Sequence, residues 1–199
     1  MRGVAFDGLR GQPLRDARIT LVGAKQIATT DARGRFEFDS VSPGVHTFAM
    51  QHALLDSLGF SGLSKRATIT NGRDEVRISV PTFGELWREA CGGSAPEDVG
   101  FVYGTIRDAD TGRPVKSAAV EATWTDMLLR NKGRVREIVQ HVSRGEARSD
   151  STGSYAVCGV APGHYLRVHA TAGDSVESAV IDLAPNGVRI QRRDLVVGR

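Results

Sequence analysis

The chain of 199 residues has little of four things: aromatic side chains (6%), cysteines (2), net charge (+3) and long apolar runs. No segment approaches the roughly 20 apolar residues of a membrane helix, so no membrane span is read in this chain. Its 26 basic and 23 acidic residues are spread along both halves. That leaves no single-sign face for a phosphate backbone and sets nucleic acid aside as a partner. The opening MRGVAFDG lacks a positively charged region followed by an apolar core, so no secretory signal is read there. Strand-like sequence begins by residue 3 instead. Two Trp and three Tyr supply few of the aromatic platforms on which sugar rings stack.

What is present is turn chemistry. A hydrophobic fraction of 40% and a charged fraction of 25% are ordinary for a globular chain, whereas 23 Gly and 7 Pro mark many reversals. That balance favours small all-β architecture over a helical bundle. The length suits one large domain or two of about 100 residues.

The turns are written twice. At an offset of 101 residues, Gly3, Asp7, Gly11, Pro13 and Ala17 fall on Gly104, Asp108, Gly112, Pro114 and Ala118. At an offset of 119, Asp31, Gly34, Val41, Pro43 and Gly44 fall on Asp150, Gly153, Val160, Pro162 and Gly163. The change of offset gives the second copy 18 further residues between these blocks. Two copies of one domain account for the pattern.

Within each copy, apolar residues alternate: Val4 with Phe6, Ile19 with Leu21, Phe36 with Phe38, Tyr155 with Val157. Period two marks half-buried strands. DARG at 31–34 and DSTG at 150–153 are four-residue turns in which Asp bonds the backbone ahead and Gly takes the positive φ. Pro43-Gly44, Pro162-Gly163, Asn71-Gly72 and Asn186-Gly187 mark further reversals. About seven strands result per copy: near 3–7, 17–23, 26–30, 35–39, 45–51, 66–70 and 75–80, then near 101–107, 118–124, 134–149, 154–158, 164–171, 177–183 and 189–197. Between the copies, Thr82 followed by Glu85 is a capping box and Gly92 a C-terminal stop, which predicts one short helix over 83–91. Leu86, Trp87 and Ala90 give it an apolar side; the plainer reading is a spacer.

GxxxDxxxGxPLxxAxIxL followed by ATTDARGRFEFDSVSPG resembles the carboxypeptidase regulatory-like domain, a small transthyretin-like (prealbumin-like) β-sandwich, and the resemblance covers both copies. YAVCGVAPG at 155–163 looks like bacterial envelope versions of it. The resemblance implies two tandem seven-stranded Greek-key sandwiches: residues 1–81, a linker with a short helix at 82–98, and residues 99–199 carrying the insertion. It also implies a secreted, periplasmic or outer-membrane-associated accessory module without catalysis. Such modules sit beside metallocarboxypeptidase domains, in surface proteins and ahead of TonB-dependent receptors. A carbohydrate-binding-like label often attaches to the fold, but a fold does not establish sugar binding.

The enzymatic signatures are missing. None of His46, His52, His141, His164 or His169 is followed three residues on by Glu, as the HxxE zinc pattern of metallocarboxypeptidases requires. The chain ends LVVGR, not in the Tyr-Arg-Gly-Ser of the related hydroxyisourate hydrolases. No Gly-x-Ser-x-Gly elbow, phosphate loop or dinucleotide fingerprint occurs. We therefore expect no enzyme and no cofactor.

Four features remain. Cys158 points away from the face shared by Tyr155 and Val157, where it can meet Cys91 of the linker helix in a disulfide suited to an oxidising envelope. The alternative is two unrelated thiols, one buried and inert. Asp108 and Asp110 in DADTG resemble the opening of a calcium loop. The closing Glu is absent, however, and a plain turn needs only Asp108 and Gly112. His164 and His169 lie on opposite strand faces, so they read as structural and no metal is expected.

The fourth is the extension. Trp124, Met127, Leu128 and Leu129 stand beside Arg130, Lys132, Arg134 and Arg136 in a projecting hairpin. It is either a partner-binding finger or a loop folded back on its own sandwich. The corresponding HALLDSLGFSGLS at 52–64 is expected to cover an open sandwich end with Leu54, Leu55, Leu58 and Phe60. The expected partners are thus a protein, a neighbouring domain of a larger envelope protein, or a second copy joined by strand addition. A glycan is the alternative.

Overall fold

The computed structural model describes every residue except 25, 133–134, 174–175, 184–187 and 199, and describes the backbone alone at 129–132 and 135–136. The turn expected at Asn186-Gly187 lies outside the described residues. The fold is all-β, and the chain divides into two compact units, Met1–Leu86 and Trp87–Arg199.

The first unit contains β1 (Arg2–Asp7), β2 (Gln12–Pro13), β3 (Arg18–Leu21), β4 (Gln26–Thr29), β5 (Arg35–Glu37), β6 (Gly44–Gln51), α1 (Ala53–Ser57), β7 (Leu63–Ile69) and β8 (Glu75–Val80). One sheet runs β2-β1-β5, with β8 parallel to β1 on its other side; the second runs β4-β3-β6-β7. Alternation decides which face is inside. Val76, Ile78 and Val80 of β8 are buried while Glu75, Arg77 and Ser79 are exposed. Ile19, Leu21, Phe48, Met50 and Ile69 are the buried residues of the second sheet. The Phe38 ring lies 5.9 Å from Phe36 and 6.1 Å from Phe48. Fully burying each large apolar side chain contributes roughly 1.5–3 kcal/mol. Leu55 and Leu58 of the 52–64 segment are buried, and that segment contains the one-turn helix α1, which no sequence signal had suggested.

The second unit begins within α2 (Phe83–Cys91), at Trp87, and contains β9 (Gly100–Asp108), β10 (Ala119–Lys132), β11 (Val135–Arg148), β12 (Ser154–Val160), β13 (Leu166–Ala172), β14 (Val176–Ser178), β15 (Ile181–Leu183), β16 (Ile190–Arg192) and β17 (Leu195–Gly198). Hydrogen-bonded order is β11-β10-β13-β14-β17-β9-β12, so the β14–β17 ladder joins the two layers along one side. Val102, Ile106, Val120, Ala122, Val157, Leu166, Val168 and Leu195 fill the space between them. The predicted capping box is made: Thr82 N–H donates to Glu85 Oε2 at 2.7 Å and Glu85 N–H to Thr82 Oγ1 at 3.3 Å.

Among the described residues the expected seven strands per copy become eight and nine, because β2 is added to the first unit and two strands of the second are each split. The strand expected at 177–183 breaks where Ser178 Oγ takes the Ala170 N–H (2.8 Å), after which the register against β13 slips by one residue. The strand expected at 189–197 breaks at Asp194, whose Oδ1 accepts from Thr105 N–H (2.9 Å) and Oγ1–H (3.0 Å) in place of a ladder bond. Arg193 leans over Gly104, where a methyl group would overlap its carbonyl, and Tyr155 Oη–H caps that carbonyl at 2.7 Å.

Several aligned residues make the same bonds in both units. Ala5 N–H donates to Gly34 O at 2.8 Å, and Ile106 N–H to Gly153 O at 2.8 Å. Gly34 and Gly153 have φ of 71° and 77°, and a Cβ there would press on the carbonyl of Ala5 or of Ile106, respectively. Thr30 Oγ1 accepts from Ala17 N–H and donates to Leu14 O; Ser149 Oγ does the same between Ala118 and Val115. Each hydroxyl satisfies two otherwise orphaned buried backbone groups.

Candidate functional site

The hairpin of β10 and β11 is built from fourteen consecutive residue pairs, Ala119↔Arg148 to Lys132↔Val135. Its other neighbour, β13, pairs only with Ala119–Thr123. From Trp124 outward the two strands ladder only with each other among the described residues. Alternation sorts the side chains. Val120, Ala122, Trp124, Asp126 and Leu128 share the face that begins in the core, and Thr123, Thr125 and Met127 share the outward face with Gln140 and Val142.

Trp124, a candidate for the interaction surface, is half-buried, with its ring near Gly145 at the hairpin base. Met127 and Leu128 are exposed. The side chains of Leu129, Arg130, Lys132 and Arg136, and all of Arg134, lie outside the described residues. The returning strand adds two strongly exposed apolar residues outside the candidate set: Ile138 at 68% and Val142 at 67%, beside Met127 at 64%. Alternation within VREIVQHV was their signal, obscured by the charges at the tip.

A groove of about 660 Å³ runs beside this outward face, lined among others by Trp124, Met127, Gln140, Val142, Tyr165 and Arg167. Arg167 Nε donates to Asp182 Oδ1 at 3.0 Å along its wall. Tyr165, at 71% the most exposed large apolar side chain among the described residues, follows the Pro162-Gly163 turn. Nothing in its sequence neighbourhood had marked it.

The inward face carries a polar chain. His164 Nε2 lies 3.2 Å from Asp126 Oδ1, Ser143 Oγ–H donates to Asp126 Oδ2 at 2.8 Å, and His141 Nδ1 lies 3.2 Å from Ser143 Oγ. With its proton committed to Asp126, Ser143 can only accept from His141. That is the reverse of nucleophile activation, in which the imidazole takes the serine proton. The chain therefore ties the hairpin to the 163–165 turn.

Cys91 and Cys158 form a disulfide, with Cα atoms 5.9 Å apart. Cys158 points off the face of Tyr155 and Val157, as alternation requires, and the register on β9 shifts between Cys158 and Val160. Trp87 packs edge-on against Phe101 at 6.1 Å, and its Nε1–H donates to Gly92 O. Asp108 sits in a closed turn. Thr111 Oγ1–H and N–H both donate to its Oδ1, at 2.7 and 2.8 Å, and hold its carboxyl below the usual carboxylate value. Asp110 is exposed beside it. No cluster of three His, Cys, Asp or Glu with metal-binding geometry occurs among the described residues.

No protein-family model matches the sequence, and no curated protein matches it. Among solved structures, a double mutant of the shaft pilin SpaA from Lactobacillus rhamnosus GG is similar over 100% of this chain and 96% of its own, at 12% identity and a TM-score of 0.35. The Bacillus anthracis TIE protein is similar over 100% of this chain and 33% of its own, at 13% identity and a TM-score of 0.33. Chlorocatechol 1,2-dioxygenase from Pseudomonas putida is similar over 52% and 62%, at 13% identity and a TM-score of 0.31. Likenesses at these scores carry no argument about function.

Proposed function

We propose that the chain is a non-catalytic interaction module of a secreted or cell-surface protein, and that it docks a protein partner through the β10–β11 hairpin. This is the role implied by the resemblance to the carboxypeptidase regulatory-like domain. One observation carries it: beyond the last β13 pair the hairpin presents Met127, Ile138 and Val142 to solvent on one face, with Tyr165 alongside. A contiguous exposed apolar patch marks an interaction surface more often than isolated exposed residues do. The disulfide supports an oxidising compartment. A photo-crosslinking amino acid at Met127 or Tyr165, in the native host, is expected to capture one discrete partner. The same probe at exposed Val22 of the first unit is expected to capture none. Indiscriminate or absent adducts at all three positions would remove the docking reading.

A second reading is a glycan module, favoured by the groove that gathers Trp124 and Tyr165 with the Arg167–Asp182 pair and Gln140. Aromatic faces beside planar polar groups are what a hexose requires. Calorimetric titration with envelope oligosaccharides is expected to show binding that Trp124→Ala and Tyr165→Ala both abolish. Binding indifferent to either substitution would exclude this groove.

A further inference from the structure

We propose that the outer edge of β11 pairs antiparallel, across a two-fold axis at Gln140, with the same edge of a second copy of this chain. This rests on the docking reading and narrows it to one occupant. Three observations point there.

First, β11 ends the hydrogen-bonded order of its sheet, and past Ser143 its partner β10 has also left β13 behind. The distal hairpin is thus a two-stranded ribbon, and every second residue of β11 turns its backbone N–H and C=O away from β10. Such ribbons are marginal in water, and a free edge is a template for another strand. Second, the edge is thinly protected: among its described side chains from Glu137 to Ser143, Glu137 alone carries a carboxylate, no Lys or Pro occurs, and Ile138 and Val142 stand exposed.

Third, the register is self-complementary. A two-fold axis normal to the ribbon keeps both outward faces on one side, so residues meeting across it share parity. With the axis at Gln140, Ile138 meets Val142 of the second copy and Val142 meets its Ile138. Met127, paired with Gln140 on β10, flanks the stripe on both sides. Moving the axis to His141 would instead set Ile138 against Arg144 and Val142 against Gln140, leaving the apolar side chains unmatched. The chosen register places Arg136 opposite Arg144, whose guanidinium is already held by Glu121 at 3.6 Å and Glu146 at 3.3 Å.

Sedimentation of the full chain over a concentration series is expected to show a species of twice the 21.4 kDa chain mass. Val142→Lys should weaken that association by about tenfold or more, because it sets a charge against Ile138. Unchanged near-ultraviolet circular dichroism would show that the variant is folded. Gln140→Cys sits on the axis and should oxidise to a covalent dimer. Val142→Cys should not, since its two copies lie about 13 Å apart along the strands. A monomer at every concentration, or Val142→Cys linking as readily as Gln140→Cys, overturns the pairing. A monomer that still gives a foreign adduct at Met127 overturns the pairing alone; loss of both overturns docking as well.

Discussion

Gly104 and Gly112 illustrate two different reasons for a glycine. At Gly104 the backbone is unstrained, but Arg193 crosses so closely that any Cβ would strike its carbonyl. At Gly112 nothing lies within 4 Å, and only the φ of +66° resists a side chain. Gly104→Ala is therefore expected to cost about 3 kcal/mol, the upper range of overpacking. Gly112→Ala should cost about 1 kcal/mol, the penalty of the left-handed region. Urea unfolding followed by tryptophan fluorescence would check both, since Trp87 and Trp124, the only two Trp in the chain, lie in the second unit. Equal losses would show that the Arg193 crossing is not rigid. Tyr155 belongs to the same crossing. Burial raises its hydroxyl above the ordinary tyrosine value of 10.0, so it remains a donor to Arg193 O as alkali is added. Tyr155→Phe leaves that carbonyl short of a partner and should cost about 1–2 kcal/mol.

Turns are the elements that the sequence describes most faithfully. Asp31, Asp74, Asp108 and Asp150 each close a turn with a carboxylate that accepts local hydrogen bonds, and each is held below its ordinary value of 3.8. The first-ranking donors are the Arg35 N–H for Asp31, the Asn71 N–H for Asp74, and the hydroxyls of Thr111 and Thr152 for Asp108 and Asp150. Because the unfolded chain takes up protons first, stability rises with pH through this window. It is fully present above pH 3.8 or so and drains away as pH falls toward the lower folded-state values. Urea midpoints should be flat from about pH 7 to 5 and drop below about pH 4. Asp150→Asn keeps an acceptor oxygen but does not titrate, so its drop should be shallower; an identical slope would mean that this turn does not contribute.

Strands followed from period two with similar fidelity, and the linker helix from its capping box. The misses share a cause: they depend on contacts distant in sequence. Asp194 interrupts a strand by bonding Thr105, 89 residues away. Thr30 and Ser149 precede their aligned aspartates at the same offset, yet their burial becomes visible only when β3 or β10 lies beside them. In the groove, Trp124 and Met127 were marked by the insertion that carries them. Tyr165, Arg167 and Asp182 were not, because β13 and β15 bring them there.

At the scale of the whole molecule, the two units share a pattern of turns and buried hydroxyls but only the second carries a covalent tie. The Cys91–Cys158 bridge spans 67 residues of sequence. It joins the end of α2 to β12, next to the point where Trp87 covers Phe101. On the chain-entropy model, closing a loop of that length in the unfolded state stabilises the fold by about 4 kcal/mol. No counterpart bridge exists in the first unit, so the second, with its long hairpin and split strands, is the one stapled. Tryptophan fluorescence reports the second unit alone, which makes the consequence measurable without separating the two. The Cys91→Ser/Cys158→Ser variant should unfold at a lower urea concentration by fluorescence, with a loss near 4 kcal/mol if the entropic account holds. Phenylalanine and backbone signals from residues 1–86 should keep their midpoint. A loss well under 1 kcal/mol would mean that Trp87 packing already holds α2 in place and that the bridge adds no further constraint.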